Sequence, residues 1–328
     1  MATTSEIGQK VFTIDKKGFD ELALEVFRFQ YQFNKLYASY VDTLAVHVED
    51  VKKLTDIPFL PIRFFKTQEI KTTSFEAEAI FESSGTTQTV NSKHHVKEFA
   101  LYTQSFTKGF EKYYGPIENW CIIGLLPSYL ERKNSSLVSM VHYLVRQSPD
   151  PRSGFYLYEH ERLYQLLKQL ESEGRQTLLI GVTFALLDFA EQFPIQLKHT
   201  TVMETGGMKG RRKELAREEA QAILKKQFDI PFVHAEYGMT ELLSQAYSKG
   251  EGLFEPVPWM KMLLRKEDDP FDVQEKGSGI MNVIDLANLY SCSFIATDDV
   301  GHIHPDGKFE ISGRVDNSDI RGCSLLVV

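Results

Sequence analysis

Between Trp120 and Met203, short apolar runs alternate with longer stretches of helical periodicity, and this alternation constrains the fold more than any other feature of the chain. Trp120-Cys121-Ile122-Ile123-Gly124-Leu125, Phe155-Tyr156-Leu157-Tyr158, Leu178-Leu179-Ile180-Gly181 and Thr201-Val202-Met203 read as strands. Between them, helices are expected from Ser135 to Arg146, capped by Asn134 or Ser135, from Glu161 to Leu170, and from Phe184 to Phe193. Another is expected from Val96 to Tyr113, ahead of the first strand. Strands joined by helical crossovers run parallel and are covered on both faces, and ligands of such sheets gather beyond the strands' carboxyl ends.

The flanks read differently. Phe19, Leu22, Val26, Phe29, Phe33, Leu36 and Tyr40 recur at helical spacing, predicting a long amphipathic helix or a helical pair over residues 18–46. Pro58 and Pro61 interrupt that pattern, and Ile62-Arg63-Phe64-Phe65 and Ala79-Ile80-Phe81 read as extended. After Leu253 come short strands: Met260–Leu264, Gly279–Ile284, Ser293–Thr297, and Lys308–Ser312 behind the turn Pro305-Asp306-Gly307. The expected division is therefore 1–252, a helical N-terminus with an α/β core, and 253–328, a β-rich subdomain of the same unit.

With 42% hydrophobic and 25% charged residues the chain has the composition of a folded globular protein, and a net charge of −8 without a basic run disfavours nucleic-acid partners. No apolar run reaches the roughly 18 residues of a membrane span, and the first residues lack a basic-then-apolar pattern, so a cytoplasmic location is expected. Cys121, Cys292 and Cys323 have no C-x-x-C spacing, which argues against a disulfide framework or zinc site and for at least one free thiol.

Chemistry concentrates in Phe81-Glu82-Ser83-Ser84-Gly85-Thr86-Thr87-Gln88-Thr89-Val90-Asn91-Ser92-Lys93. Gly85 admits backbone angles closed to other residues, so amide hydrogens can converge on an anion while the hydroxyls donate and Lys93 supplies charge. A solvated hydroxyl-rich connector is the alternative. Neither G-x-x-x-x-G-K-[ST] nor G-x-G-x-x-G occurs here. Downstream lie Glu204-Thr205-Gly206-Gly207-Met208-Lys209-Gly210, Glu236-Tyr237-Gly238-Met239-Thr240-Glu241, Thr297-Asp298-Asp299-Val300-Gly301 and Gly313-Arg314-Val315-Asp316. His94-His95 and His302-x-His304 have no acidic or thiol partner at metal-ligand spacing and read as surface or capping histidines.

In this order the segments resemble those of the adenylate-forming (acyl-activating) superfamily. The resemblance implies an α/β core with β-sheets flanked by helices and a β-rich C-terminal part, using ATP and Mg²⁺ as cofactors. It places Ser83, Ser84, Gly85, Thr86 and Thr87 on the ATP phosphates and Gly206 and Gly207 against adenine. Tyr237 would stack on adenine, Thr240 bond the α-phosphate, Glu241 hold Mg²⁺, Asp299 grip the ribose hydroxyls, and Arg314 lie near ribose and phosphate. Two departures stand out: Gln88-Thr89-Val90-Asn91-Ser92-Lys93 replaces the usual Gly-x-Pro-Lys-Gly, and Thr-Asp-Asp replaces Thr-Gly-Asp. The chain also stops twelve residues after Asp316, so the large C-terminal domain that carries a catalytic lysine in most relatives is expected to be lacking.

Leu126-Pro127-Ser128-Tyr129-Leu130-Glu131-Arg132-Lys133-Asn134-Ser135-Ser136-Leu137, Thr205-Gly206-Gly207-Met208-Lys209-Gly210-Arg211-Arg212 and Asp319-Ile320-Arg321-Gly322-Cys323-Ser324-Leu325-Leu326 look like the LuxE-type acyl-protein synthetases. That likeness implies a fatty acid activated as acyl-adenylate, moved to a cysteine near the C-terminus, matched by Cys323, and passed to a partner acyl-reductase or carrier protein. A buried cysteine beside the apolar tail is the competing reading of Cys323. The rival functions are an acyl-CoA ligase resembling the phenylacetate type, and a non-catalytic nucleotide-binding subunit of an acyl-transfer assembly.

Overall fold

The aromatic stripe at the N-terminus folds as two helices rather than one, and Asn34 is the reason. Its side chain accepts the Tyr37 amide at 3.0 Å, which caps the second helix and takes Asn34 out of helical geometry, with φ −104° and ψ 99°. The computed structural model describes residues 4–83, 90–127, 134–206 and 215–315. In chain order the first elements are α1 (Thr4–Val11), α2 (Phe19–Phe33), α3 (Lys35–Thr43), β1 (Leu60–Pro61), α4 (Phe64–Thr67), β2 (Ala79–Glu82), β3 (Lys93–Val96) and α5 (Phe99–Tyr114). Then come β4 (Cys121–Leu125), α6 (Ser136–Gln147), β5 (Gly154–Phe155), α7 (His160–Ser172), β6 (Thr177–Gly181), α8 (Thr183–Gln192), β7 (Thr200–Thr205), α9 (Arg217–Phe228) and β8 (His234–Tyr237). Seven strands complete the described chain: β9 (Ala246–Ser248), β10 (Phe254–Pro256), β11 (Met260–Arg265), β12 (Val273–Gln274), β13 (Gly277–Asp285), β14 (Phe294–Ile303) and β15 (Phe309–Arg314).

Contacts divide the chain into two compact units, Met1–Gly109 with Gly238–Ala246 and Glu255–Asp319, and Phe110–Tyr237 with Tyr247–Phe254 and Ile320–Val328. Each unit draws on both sides of residue 252. In the second unit β5, β4, β6, β7 and β8 lie in that order and pair in parallel, as the βα alternation requires. Ile122, Leu179 and Val202 on three adjacent strands are buried, which explains why these runs show no polar alternation. Ser135 caps α6, its hydroxyl accepting the Val138 amide at 3.4 Å.

The first unit is built on an antiparallel sheet of order β12, β11, β13, β14, β15, with β1 added in parallel to β14. Its N-terminal helices are tied to that sheet by buried amides. Gln30 Nε2 donates to the Asn288 and Leu289 carbonyls at 3.1 and 2.9 Å, its Oε1 accepts the Ser293 amide at 2.9 Å, and Asn34 Nδ2 donates to the Ser291 carbonyl at 3.0 Å. These bonds fix the 288–293 loop between β13 and β14.

Three local expectations need correction. Ile62–Phe65 is not extended: the Phe65 amide bonds the Ile62 carbonyl at 3.1 Å and the chain turns into α4, burying Phe65. The strand expected at Phe155–Tyr158 ends at Phe155, because the Glu159 carboxylate accepts the Leu157 and Tyr158 amides at 2.9 and 3.1 Å and removes them from the ladder. Val96 closes a hairpin with Ala79, so the helix following it begins at Phe99. No helix among the described residues is long and apolar enough to cross a membrane.

Candidate functional site

Strand alternation separates the two consecutive aspartates. Along β14 successive side chains face opposite sides, so Asp299 points inward and is buried while Asp298 faces the other way, 3.8 Å from Arg63. Asp299 is the cross-strand partner of Arg314 on β15, and its Oδ1 accepts from Arg314 Nε at 3.0 Å, both side chains being over 90% buried. The Asp299 amide in turn donates to Thr297 Oγ1 at 3.1 Å, and that hydroxyl donates to the Met281 carbonyl at 2.8 Å. The two residues assigned to the ribose are thus brought together. The Asp298 side chain, on the opposite face, takes no part in that pair.

Thr240 and Glu241 follow a short strand end and lie in a turn whose backbone is held by three buried side chains from elsewhere in the first unit. His94 Nδ1 lies 2.8 Å from the Thr240 carbonyl, and Asn288 Nδ2 donates to the Glu241 carbonyl at 2.7 Å. The Asp285 carboxylate accepts the Leu243 and Ser244 amides at 2.8 and 3.0 Å and the Ser244 hydroxyl at 2.5 Å. Burial raises the Asp285 carboxyl to about 6 against these donors, and burial depresses the His94 imidazole to about 4 against the pull of the Thr240 carbonyl, Glu241 and Asn288. Glu241 itself is buried.

The hydroxyl-rich segment is the connection of an antiparallel hairpin in which Phe81 pairs with His94 and Glu82 with Lys93. Ser83 sits at the neck: its amide donates to the Ser92 carbonyl at 3.0 Å and its hydroxyl accepts the Ser92 amide at 2.9 Å. Lys93 is exposed at the start of β3. Ser84, Gly85, Thr86 and Thr87 lie outside the described residues, as do Gly207 and Cys323 and the basic clusters at Arg132-Lys133 and Arg211-Arg212. His94 is no surface histidine but a buried one, its ring edge-on to Phe65 at 5.9 Å. His304 is a surface group, 2.7 Å from Glu310 Oε1.

In the second unit the carboxyl ends of β7 and β8 carry Gly206 and Tyr237. Gly206 has φ +79°, a conformation open to glycine and costly for other residues, and its carbonyl accepts from Thr183 Oγ1 at 2.7 Å. Beneath it Glu204 is buried, accepting from Gln221 Nε2 at 2.8 Å and from Thr183 at 3.3 Å, with Arg217 Nε 3.9 Å away. Burial raises the Glu204 carboxyl, opposed by Arg217 and these donors. Tyr237 is buried, its ring 5.9 Å from that of Phe254. Its neighbour Glu236 accepts from Thr205 Oγ1 at 2.5 Å, and burial pushes its carboxyl up to about 7. Sequence reasoning passed over Glu204, Glu236, Thr183, Asp285 and Asn288, whose roles depend on neighbours distant in the chain; the available signal was an acidic residue next to a motif on an otherwise apolar strand.

Glu236 has a measurable consequence. A carboxyl raised from 4.5 to about 7 stays protonated in the folded chain where the unfolded chain has ionised, so its contribution is full below about pH 4.5 and lost as pH rises through about 7. The variant Glu236→Gln keeps a neutral partner for Thr205 at every pH. Its stability relative to the unsubstituted chain, measured by urea unfolding, should rise between pH 5 and pH 8 by on the order of 2–3 kcal/mol. A difference that stays constant across that range would contradict the raised carboxyl.

This architecture defines an adenylate-forming fold. The structure is similar to 2-hydroxyisobutyryl-CoA ligase in the postadenylation state, with TM-score 0.62 and 10% identity over 94% of this chain and 70% of that one. It is also similar to MatB from Rhodopseudomonas palustris, with TM-score 0.53 and 16% identity over 73% of this chain and 48% of that one. O-succinylbenzoate coenzyme A synthetase (MenE) from Bacillus subtilis, in complex with ATP and magnesium ion, aligns with TM-score 0.50 and 15% identity over 77% of this chain and 55% of that one. The chain spans about half the length of MatB. No curated protein matches the chain in sequence. Within that fold class the chain belongs to the LuxE acyl-protein synthetase family, whose model matches residues 12–328.

Proposed function

We propose that this chain uses ATP and Mg²⁺ to convert a carboxylic acid, fatty in keeping with its family, to an acyl-adenylate and then transfers the acyl group to a protein or carrier thiol. The observation that carries the reading is the buried Asp299–Arg314 pair on β14 and β15 together with the unaltered Tyr237-Gly238-Met239-Thr240-Glu241 motif. A buried carboxylate can accept both hydroxyls of a ribose, and Arg314 holds it in place while adding positive charge for a phosphate. Thr240 would donate its hydroxyl to the α-phosphate, and Tyr237 and the Gly206 turn would form walls for the adenine. Catalysis then consists of aligning the acid's carboxylate with the α-phosphorus while positioned donors meet the developing charge.

Glu241 is the residue proposed to hold the metal, which when bound would neutralise phosphate charge. The donor set fits Mg²⁺. A single carboxylate with an adjacent hydroxyl suits a hard cation that keeps waters and substrate phosphates as its other ligands, and among the described residues no group of three or more His, Cys, Asp or Glu could hold a metal by itself. The expected acceptor is a partner such as an acyl-reductase or a carrier protein, in the cytoplasm. Coenzyme A is the alternative acceptor, favoured by the shared fold of 2-hydroxyisobutyryl-CoA ligase.

Exchange of labelled pyrophosphate into ATP, run with carboxylic acids of graded chain length, tests the first half-reaction. Exchange should need both an acid and Mg²⁺ and should be greatest for an aliphatic acid. Its absence with every acid would leave the nucleotide-binding subunit as the better reading.

A further inference from the structure

We propose that His94 is a positioning residue: through its bond to the Thr240 carbonyl it registers the Thr240–Glu241 turn against the hairpin that presents the hydroxyl-rich loop. The inference rests on the reading above, in which these two residues serve phosphate and metal. His94 follows Lys93 directly on β3 and faces Phe81 across the hairpin, so it belongs to the same rigid ladder as both ends of that loop. Its Nδ1 reaches 2.8 Å to a carbonyl 146 residues away. A carbonyl oxygen only accepts, so the tautomer is set: Nδ1 carries the hydrogen and donates. The tie is a single directional N–H bond.

The turn has no regular ladder of its own at Thr240 and Glu241, so its carbonyls depend on side chains. Asn288 takes that of Glu241 at 2.7 Å, and the loop bearing Asn288 is itself fixed by Gln30. Asp285 takes the amides at Leu243 and Ser244. Of the three holders, His94 alone comes from the hairpin, so it is the one whose loss would free the turn from the β2–β3 hairpin while leaving the β13–β14 supports in place. Displacement of a catalytic group by about 1 Å is enough to cost on the order of 10²-fold in rate.

A purely packing role is the competing account, because the ring also lies edge-on to Phe65 at 5.9 Å. Three substitutions separate the two. His94→Phe keeps an aromatic ring and removes the donor; His94→Asn shrinks the ring but restores an N–H near the Nδ1 position; His94→Gln supplies a polar side chain whose donor falls at the Nε2 position instead, and serves if the phenylalanine variant does not fold. Pyrophosphate exchange should fall about 10- to 100-fold in His94→Phe and His94→Gln, with a raised Mg²⁺ concentration for half-maximal rate and an unchanged KM for the acid. His94→Asn should recover most of the rate and the Mg²⁺ response. The rise in Tm caused by MgATP, measured without any acid, should shrink in the first two variants and persist in the third.

Full activity with an unchanged Mg²⁺ response in His94→Phe or His94→Gln would overturn the proposal. Equal loss in all three, with the Mg²⁺ response of the unsubstituted chain, would assign His94 to packing and overturn it as well. An unsubstituted chain that shows neither exchange nor a MgATP-dependent Tm would defeat the adenylation reading itself, and the role of His94 with it, an outcome distinct from the other two.

Discussion

Asp299→Asn and Glu241→Gln should each reduce acid-dependent pyrophosphate exchange by about 10²- to 10³-fold, the usual cost of one positioned electrostatic contact in a transition state. For Asp299 the expectation comes from a buried carboxylate already aimed by Arg314 at 3.0 Å. Asparagine keeps the shape but loses the charge, and its amide presents a donor where one carboxylate oxygen accepted. The substitution also leaves the Arg314 guanidinium buried without its counter-ion, and breaking one side of a buried ion pair costs about 3–5 kcal/mol of stability. Circular dichroism at the assay temperature must therefore show a folded variant before its rate is read. Glu241→Gln is the cleaner test, since its backbone carbonyl stays bonded to Asn288. The rate lost should be partly regained at higher Mg²⁺, which no general weakening of the fold would produce. Exchange at the unsubstituted rate in both variants would remove the ribose and metal assignments together.

Acyl labelling of the protein should disappear in Cys323→Ser while pyrophosphate exchange continues. The sequence has three cysteines, and the two that the structure describes are poor nucleophiles. Burial raises the Cys292 thiol to about 12, its Sγ 3.4 Å from the Phe294 carbonyl. Burial also raises the Cys121 thiol on the fully covered strand β4. The thiolate is the reactive form, so neither is populated for attack near neutral pH. Cys323 lies outside the described residues, and its candidacy rests on this elimination, on Arg321 two residues before it, which would favour a thiolate, and on its family position. Formation of an acyl thioester exchanges a mixed anhydride for a thioester and releases AMP, with the thiol proton as the other product. No thiol takes part in the earlier attack on phosphorus, so the two half-reactions should separate. Intact-mass spectrometry with ATP, Mg²⁺ and myristate should show a hydroxylamine-sensitive adduct in the unsubstituted chain and in Cys121→Ala, and none in Cys323→Ser. An undiminished adduct in Cys323→Ser, or no adduct in the unsubstituted chain, would turn attention to coenzyme A or a carrier protein as acceptor.

Much of the fold was legible in the residues themselves. The parallel sheet announces itself because strands buried on both faces must be apolar throughout, as β4 and β6 are, and because the helices between them need an amphipathic period. The β8 strand was harder to see: His234, Ala235, Glu236 and Tyr237 alternate in burial, and the two polar residues find partners only on neighbouring elements. The order of motifs, Tyr237-Gly238-Met239-Thr240-Glu241 above all, was enough to point to the adenylate-forming class, and the stretches 126–137, 205–212 and 319–326 to the family within it.

What the linear chain could not express are bonds between residues far apart in it. That His94 is buried and donates to Thr240, 146 residues on, is invisible in a His-His dipeptide that follows a lysine. Which of Asp298 and Asp299 is buried beside Arg314 depends on the register of β14, and a one-residue shift would exchange them. Glu204 and Glu236 look like ordinary acids until the sheet desolvates them and raises both carboxyls, that of Glu236 to about 7. Residue type determines which chemistry is available to this protein, whereas burial and the neighbour across the sheet, set only by folding, decide which of several equivalent side chains performs it.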